Sequence, residues 1–197
     1  MTSRYVLVLL LLPAVACTDP QGAAYFPKPH RGAQLEYSVE YTAPFSQVQR
    51  GTMVVRTEGD TSINGRSYER TVIVISGIPG VGQLIGYTRR TREGVYEIDT
   101  TAAPGTEVLV TPFPLIVGST WSATVGASHT SSRADAVERM ALLSHTYDDC
   151  LKVSSTQTSN GVTTTSTSWY ARGVGLVRGV GQNRGVTMQF TLTSDTR

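Results

Sequence analysis

The groups best suited to chemistry in this sequence lie in one short stretch, Ser144 to Cys150, which reads SHTYDDC. It gathers His145, Asp148, Asp149 and Cys150: an imidazole, two carboxyls and a thiol, the groups used for metal ligation and for acid–base or nucleophilic catalysis. Their spacing works against a shared centre. On a strand, His145 and Asp149 fall on one face while Asp148 and Cys150 fall on the other. A turn at TYDD would regroup them, but aspartates at a turn are ordinary turn residues. A hydrolytic site near His145 therefore needs a turn that the pattern does not demand.

Other catalytic signatures are missing from the sequence. There is no Gly-x-Ser-x-Gly elbow for a serine hydrolase. There is no His-Glu-x-x-His and no Cys-x-x-Cys pair for zinc. GIPGVGQLIG (Gly77 to Gly86) and GVGLVRGVG (Gly173 to Gly181) are rich in glycine. No Lys-Ser/Thr follows either one and no helix is expected behind them, so both read as flexible loops, not phosphate cradles. His30 and His129 fall in segments of loop-like composition. The expectation is a protein without catalytic residues, metal site or cofactor.

The densest basic spot is Arg89, Arg90 and Arg92. On a strand Arg89 points one way and the other two the opposite way, which suits a solvated hairpin face balanced by Glu93, Glu97 and Asp99. The alternative is contact with anionic headgroups or lipopolysaccharide phosphates, where the planar arginine fork binds well. A formal net charge of only +2 argues against nucleic acid as a partner.

Cys17 has a clearer chemistry. Arg4 precedes the apolar run Tyr5 to Leu12, the layout of a secretory signal and too short for a bilayer span of about 20 residues. Ala14 and Ala16 supply the small residues of a cleavage site, and Cys17 follows at once. The stretch AVAC resembles the lipobox of bacterial lipoproteins, with Ala14 where leucine is usual. That resemblance implies removal of residues 1–16, diacylglycerol on the Cys17 thiol and an acyl chain on the new amine. Several acyl chains, at about 0.8 kcal/mol per buried methylene, make a lasting anchor. By the sorting rule of such lipoproteins, Thr18 after the cysteine implies the outer membrane, with Asp19 only one place later. With Cys17 acylated, Cys150 has no disulfide partner, and it reads as a small buried hydrophobe.

The elements around these residues are strands. Residues 17–32 hold Pro20, Gly22, Pro27, Pro29 and Gly32 without any period, and read as a lipidated cysteine followed by a flexible tether. One antiparallel β domain is expected over 33–197. In LEYSVEY, Leu35, Tyr37, Val39 and Tyr41 share a face opposite Glu36, Ser38 and Glu40, the mark of a half-buried strand. Asn64-Gly65 and Asn160-Gly161 separate strand-like segments as tight hairpin turns, and a third hairpin is expected at Glu93-Gly94. VTMQFTLT alternates Val186, Met188, Phe190 and Leu192 with polar partners. Arg133 to Leu143, RADAVERMALL, is ambiguous: its composition suits a helix of roughly three turns, while its neighbours are strands.

Three stretches, TPFPLIVGSTW (Thr111 to Trp121), YDDCLKV (Tyr147 to Val153) and WYARGVGLVR (Trp169 to Arg178), resemble exported β-sheet proteins near the domain-of-unknown-function 3108 group of bacterial lipoproteins. Arg172 stands where such proteins often have proline. The resemblance implies a curved antiparallel sheet or half-barrel, with the segment around Val137 to Leu143 as a strand. It implies no catalytic residue. Within TPFPLIVGSTW, Pro112 and Pro114 keep the backbone extended, so that Phe113, Leu115 and Ile116 lie across a sheet edge or end.

The expected protein is thus a lipid-anchored component of the bacterial envelope, all-β, binding an apolar or protein ligand on its sheet. A structural or assembly role, through an edge strand docked on an envelope partner, is the second reading.

Overall fold

The computed structural model describes residues 22–78, 82–99, 105–142 and 145–196. Cys17, residues 1–16 and the start of the expected tether lie outside them. The chain forms one twelve-stranded antiparallel sheet: β1 (Gln34–Thr42), β2 (Gln49–Ile63), β3 (Arg66–Ser76), β4 (Gln83–Arg90), β5 (Gly94–Asp99) and β6 (Thr106–Pro112). It continues with β7 (Thr120–Val125), β8 (Ser128–Ala141), β9 (Thr146–Ser159), β10 (Val162–Ala171), β11 (Gly175–Asn183) and β12 (Val186–Thr196).

Each strand pairs with the next along the chain, except β6 with β7, and β1 pairs with β12. The sheet therefore rolls into a nearly closed barrel with one seam, between β6 and β7. Hydrogen bonds bridge it: the Trp121 indole N–H donates to the Val110 carbonyl at 2.9 Å, and the Gly126 N–H donates to the buried Asp99 carboxylate at 2.6 Å. In such a meander the connections alternate between ends. The β1–β2, β3–β4 and β11–β12 connections lie at one end. The β2–β3, β4–β5, β6–β7 and β10–β11 connections lie at the other, where the chain enters β1.

The expected period-two segments become strands. Tyr37 and Val39 are buried, and Tyr37 meets the Phe190 ring edge-on at 6.1 Å. Asn64-Gly65 and Asn160-Gly161 turn with positive φ at both residues, the conformation a two-residue hairpin needs. The β4–β5 turn falls over residues 91–93, so Gly94 opens β5 instead of sitting in the turn.

Residues 133–141, which composition left ambiguous, belong to β8, the strand that the resemblance implies; among the described residues the one helical element is a 3-10 turn, Ala23–Tyr25. The helix-like pattern has a physical source. β8 carries irregularities at Ala134/Ala136 and Glu138/Met140, and each extra residue breaks the alternation of faces. GVGLVRGVG is no flexible loop, because from Gly175 it is strand β11. Gly179 lies flat against Phe190, so closely that a Cβ there would stand 2.1 Å from the ring. In GIPGVGQLIG the stretch from Gln83 is strand, and residues 79–81 lie outside the described set.

The tether is corrected as well. From residue 22 it is a packed strap crossing one end of the barrel. Ala23, Tyr25 and Ala33 are buried. The Gly173 N–H donates to the Ala24 carbonyl at 2.8 Å, and Gly32 N–H to the Thr57 carbonyl at 2.8 Å. Tyr25 also donates to Asp149 at 3.3 Å under the Arg172 guanidinium, 4.7 Å from its ring. The prolines of this segment fit a strap that must stay extended while pairing little.

The core has two parts. One gathers Tyr37, Val39, Met53, Cys150, Val177 and Leu192; the other joins strap residues Ala23 and Tyr25 to Phe113, Leu115, Leu151 and Val153. Cys150 and Leu151 are neighbours on β9 pointing to opposite faces, and both are fully buried, so the sheet is covered on both sides at that level.

Candidate functional site

The strap and strands β2 to β5 enclose a cavity of about 570 Å3 at the strap end of the barrel. Register places its charged groups. Asp60 pairs with Glu69 across β2 and β3, and Glu69 pairs with Thr88 across β3 and β4. Alternation carries Ser67 and Arg90 onto that same face. From the strap, Lys28 reaches in to bind the Asp60 carboxylate at 3.1 Å. Phe26 and Val95 form the apolar wall. The Phe26 ring stacks on Tyr170 at 4.7 Å, and the Arg90 guanidinium lies over the Phe113 ring at 5.8 Å.

Glu69 is the carboxyl in this cavity whose proton affinity the setting raises. Burial pushes its carboxyl from an ordinary 4.5 up to about 7, Asp60 adds to the rise, and Lys28 and the Thr71 hydroxyl oppose it. A carboxyl poised near neutrality in a cleft can donate or accept a hydrogen bond at physiological pH. Glu69 and Pro27 also wall a second, smaller cavity of about 180 Å3, lined by Leu35, Val55 and Val174. A charged chamber and an apolar chamber thus meet at one carboxyl.

Arg89 points to the opposite face of β4, as alternation requires. Its partner is not the expected Glu93, Glu97 or Asp99 but Glu107 on β6, gripped through two nitrogens at 2.6 and 2.7 Å. Arg66 at 2.6 Å and the buried Tyr68 hydroxyl at 2.9 Å complete the cluster. The Arg89 grip holds the Glu107 carboxyl below its ordinary range. Glu93 instead accepts from Tyr96 at 2.6 Å. Arg92 lies in the β4–β5 turn, so the three arginines form no patch.

The SHTYDDC groups do not converge. Asp148 is exposed and pairs with Arg139 at 3.3 Å. Asp149 faces Arg172 and Tyr25 to hold the strap. Cys150 is 0 % exposed, its thiol pushed by burial to about 11. His145 lies in the β8–β9 turn with its ring 5.5 Å from Tyr147. Their directions bring these four groups to no common centre. His129 sits on β8, not in a loop, and shares a hydrogen bond with Thr124 at 3.0 Å. His30 is exposed on the strap, in contact with the Arg31 carbonyl. Among the described residues, no three His, Cys, Asp or Glu side chains are grouped to hold a metal.

Sequence reasoning passed over Glu69, Asp60 and Lys28. One signal was present: in SYERTVIVIS, Glu69 alternates in phase with Ile73 and Ile75, which is a carboxyl on the core face of a strand. Nothing local ties it to Lys28, because the strap's course is set by distant contacts.

Two solved structures resemble this arrangement of strands. One is a proposed exported protein with YmcC-like fold from Bacteroides fragilis, 11% identical, with a TM-score of 0.53 over 86% of this chain and 98% of that chain. The other is a proposed lipoprotein from Parabacteroides distasonis, 13% identical, with a TM-score of 0.54 over 87% of this chain and 98% of that one. The likeness is one of fold. No family model and no curated protein matches the chain.

Proposed function

We propose that this chain is a lipid-anchored protein of a bacterial envelope that binds a small amphiphile in the strap-covered cavity and does not catalyse its conversion. The single observation that carries the binding function is the pair of chambers meeting at Glu69. The larger is within the 300–1,000 Å3 usual for small-ligand sites, and its Lys28, Arg90 and Glu69 suit a polar head group. The smaller, walled by Leu35, Val55 and Val174, suits a short apolar portion. Within the apolar or protein ligand that the sequence suggests, an amphiphile fits the cavity better than bare hydrocarbon, which would desolvate these charges without partnering them.

The reading of the anchor rests on AVAC, which ends on Cys17, and is supported by a fold shared with proteins described as exported and as a lipoprotein. Thr18 favours the outer membrane as its address. The test is mass spectrometry of the full chain extracted from its native membrane. The expected result is an N-terminal peptide starting at acylated Cys17 and a co-purifying amphiphile that is lost in the Glu69→Gln, Lys28→Ala double variant. Acylated protein that is empty, or that keeps the ligand in the double variant, refutes the site.

A further inference from the structure

The loop between β6 and β7 carries two apolar side chains that stand half exposed among the described residues. Ile116 is 48 % and Val117 52 % exposed, while Leu115 just before them is buried. The loop is held in shape. The Ile116 N–H donates to the Ser119 hydroxyl at 3.1 Å, the Ser119 N–H to the Ile116 carbonyl at 3.0 Å, and the Gly118 N–H to the Ala134 carbonyl at 2.8 Å. An ordered loop that presents an Ile-Val pair to solvent is a surface in want of an apolar neighbour.

The position of the strap says which neighbour. Gly22 packs directly on the base of this loop: a Cβ on it would lie 2.6 Å from the Leu115 carbonyl oxygen and 2.7 Å from the Leu115 Cβ. Cys17 is five residues before Gly22, so fully extended chain can carry it no farther than about 18 Å. That leash cannot lengthen without pulling buried Ala23 and Tyr25 out of the core and breaking the Gly173–Ala24 hydrogen bond. The acyl chains are therefore held within one short span of Leu115. Ile116 and Val117 project beside that point.

We propose that Ile116 and Val117 form a second membrane contact, sinking into the lipid interface next to the acylated cysteine and turning the strap end of the barrel towards the bilayer. The inference rests on the anchor at Cys17. Of the other exposed apolar residues, Phe45 and Val48 lie in the β1–β2 connection and Val74, Leu84 and Ile85 flank the β3–β4 connection, all towards the far end of the barrel, while Val137 stands singly on strand β8 and not in the loop that Gly22 packs on. The leash could not bring that end to the bilayer while the strap stays docked.

The test uses the full chain purified from its native membrane and reconstituted in phosphatidylethanolamine–phosphatidylglycerol vesicles. Ile116→Cys and, separately, Phe45→Cys carry an environment-sensitive fluorophore; both sites are exposed, and buried Cys150 stays unlabelled in folded protein. The label at 116 is expected to shift to the blue and to be quenched by lipids bearing a shallow nitroxide, while the label at 45 stays aqueous and unquenched. The N-terminal peptide mass is read on the same sample. An acylated protein whose 116 label is as aqueous as the 45 label overturns the contact and leaves the anchor standing. A 116 label that shifts but is not quenched by nitroxide lipid means that protein covers the loop, which also overturns it. A chain without acyl mass removes the anchor and this inference together.

Discussion

Glu69 gives a quantitative test of the cavity. Its carboxyl moves from an ordinary 4.5 to about 7 on folding, so the folded state holds the proton more tightly than the unfolded chain. The penalty for the charged form is absent below about pH 4.5, grows as pH rises, and is complete above about pH 7. At 1.36 kcal/mol per pH unit that interval corresponds to about 3.4 kcal/mol. Glu69 is only part-buried, and solvent screening removes somewhat more than half of the figure, leaving about 1.5 kcal/mol. Glu69→Gln keeps the shape and never ionises, so it should be more stable than the wild type by about 1.5 kcal/mol at pH 8.5, a rise in Tm of roughly 3–6 °C for a domain of this size. The difference should shrink through pH 6 and approach zero near pH 4.5. Denaturant melts of both proteins across that range provide the assay. A variant that gains nothing at pH 8.5, or gains equally at every pH, refutes the claim that burial of this carboxyl shapes the site.

Further outcomes are expected elsewhere in the barrel. Glu107→Gln should cost about 2 kcal/mol, since it weakens the Arg89 grip and the Tyr68 hydrogen bond; only the wild type should then lose this increment as pH falls below the ordinary carboxylate range, read by acid-side denaturant melts. Gly179→Ala should destabilise by about 1–3 kcal/mol by driving a methyl into the Phe190 ring, and Phe190→Leu in the same chain should recover part of the loss in thermal melts. Trp121→Phe, which removes the indole bond across the seam, should cost about 1 kcal/mol and speed amide exchange in β6 and β7 above that of β1 and β12. Cys150 should resist thiol reagents in native protein and react on unfolding, followed by absorbance; prompt native reaction would contradict its burial.

Local pattern and tertiary placement divide what could be read beforehand. β1 and β12 are legible because Leu35 to Tyr41 and Val186 to Leu192 alternate without interruption, and Asn64-Gly65 and Asn160-Gly161 name their own turns. β8 is not, because two bulges turn a strand's period into something near a helix's. β11 is hidden for a different reason: its glycines look like loop residues until Phe190 from the next strand is laid over Gly179. The strap defeats local reading altogether, since its order comes from Asp149, Gly173 and Leu115, all far along the chain. The candidate site inherits that problem. Asp60 and Glu69 meet by hairpin register, which is predictable, but Lys28 joins them only because the strap crosses the barrel end.

The pairing of β1 with β12 also shapes how the molecule is made. Strands β1 to β6 and β7 to β12 are two meanders, each built wholly from contacts between sequence neighbours, and such local pairings form quickly. The ladder that joins them matches Gln34 with Thr196 and Thr42 with Thr187, so loop closure across nearly the whole domain must precede it. During folding, β1 therefore waits with one exposed edge, carrying Leu35, Tyr37, Val39 and Tyr41, until the last strand arrives. An edge of that composition is a template for mispairing with another copy of the chain. Folding of this protein should accordingly be most sensitive to aggregation at the single late step in which the first and last strands find each other.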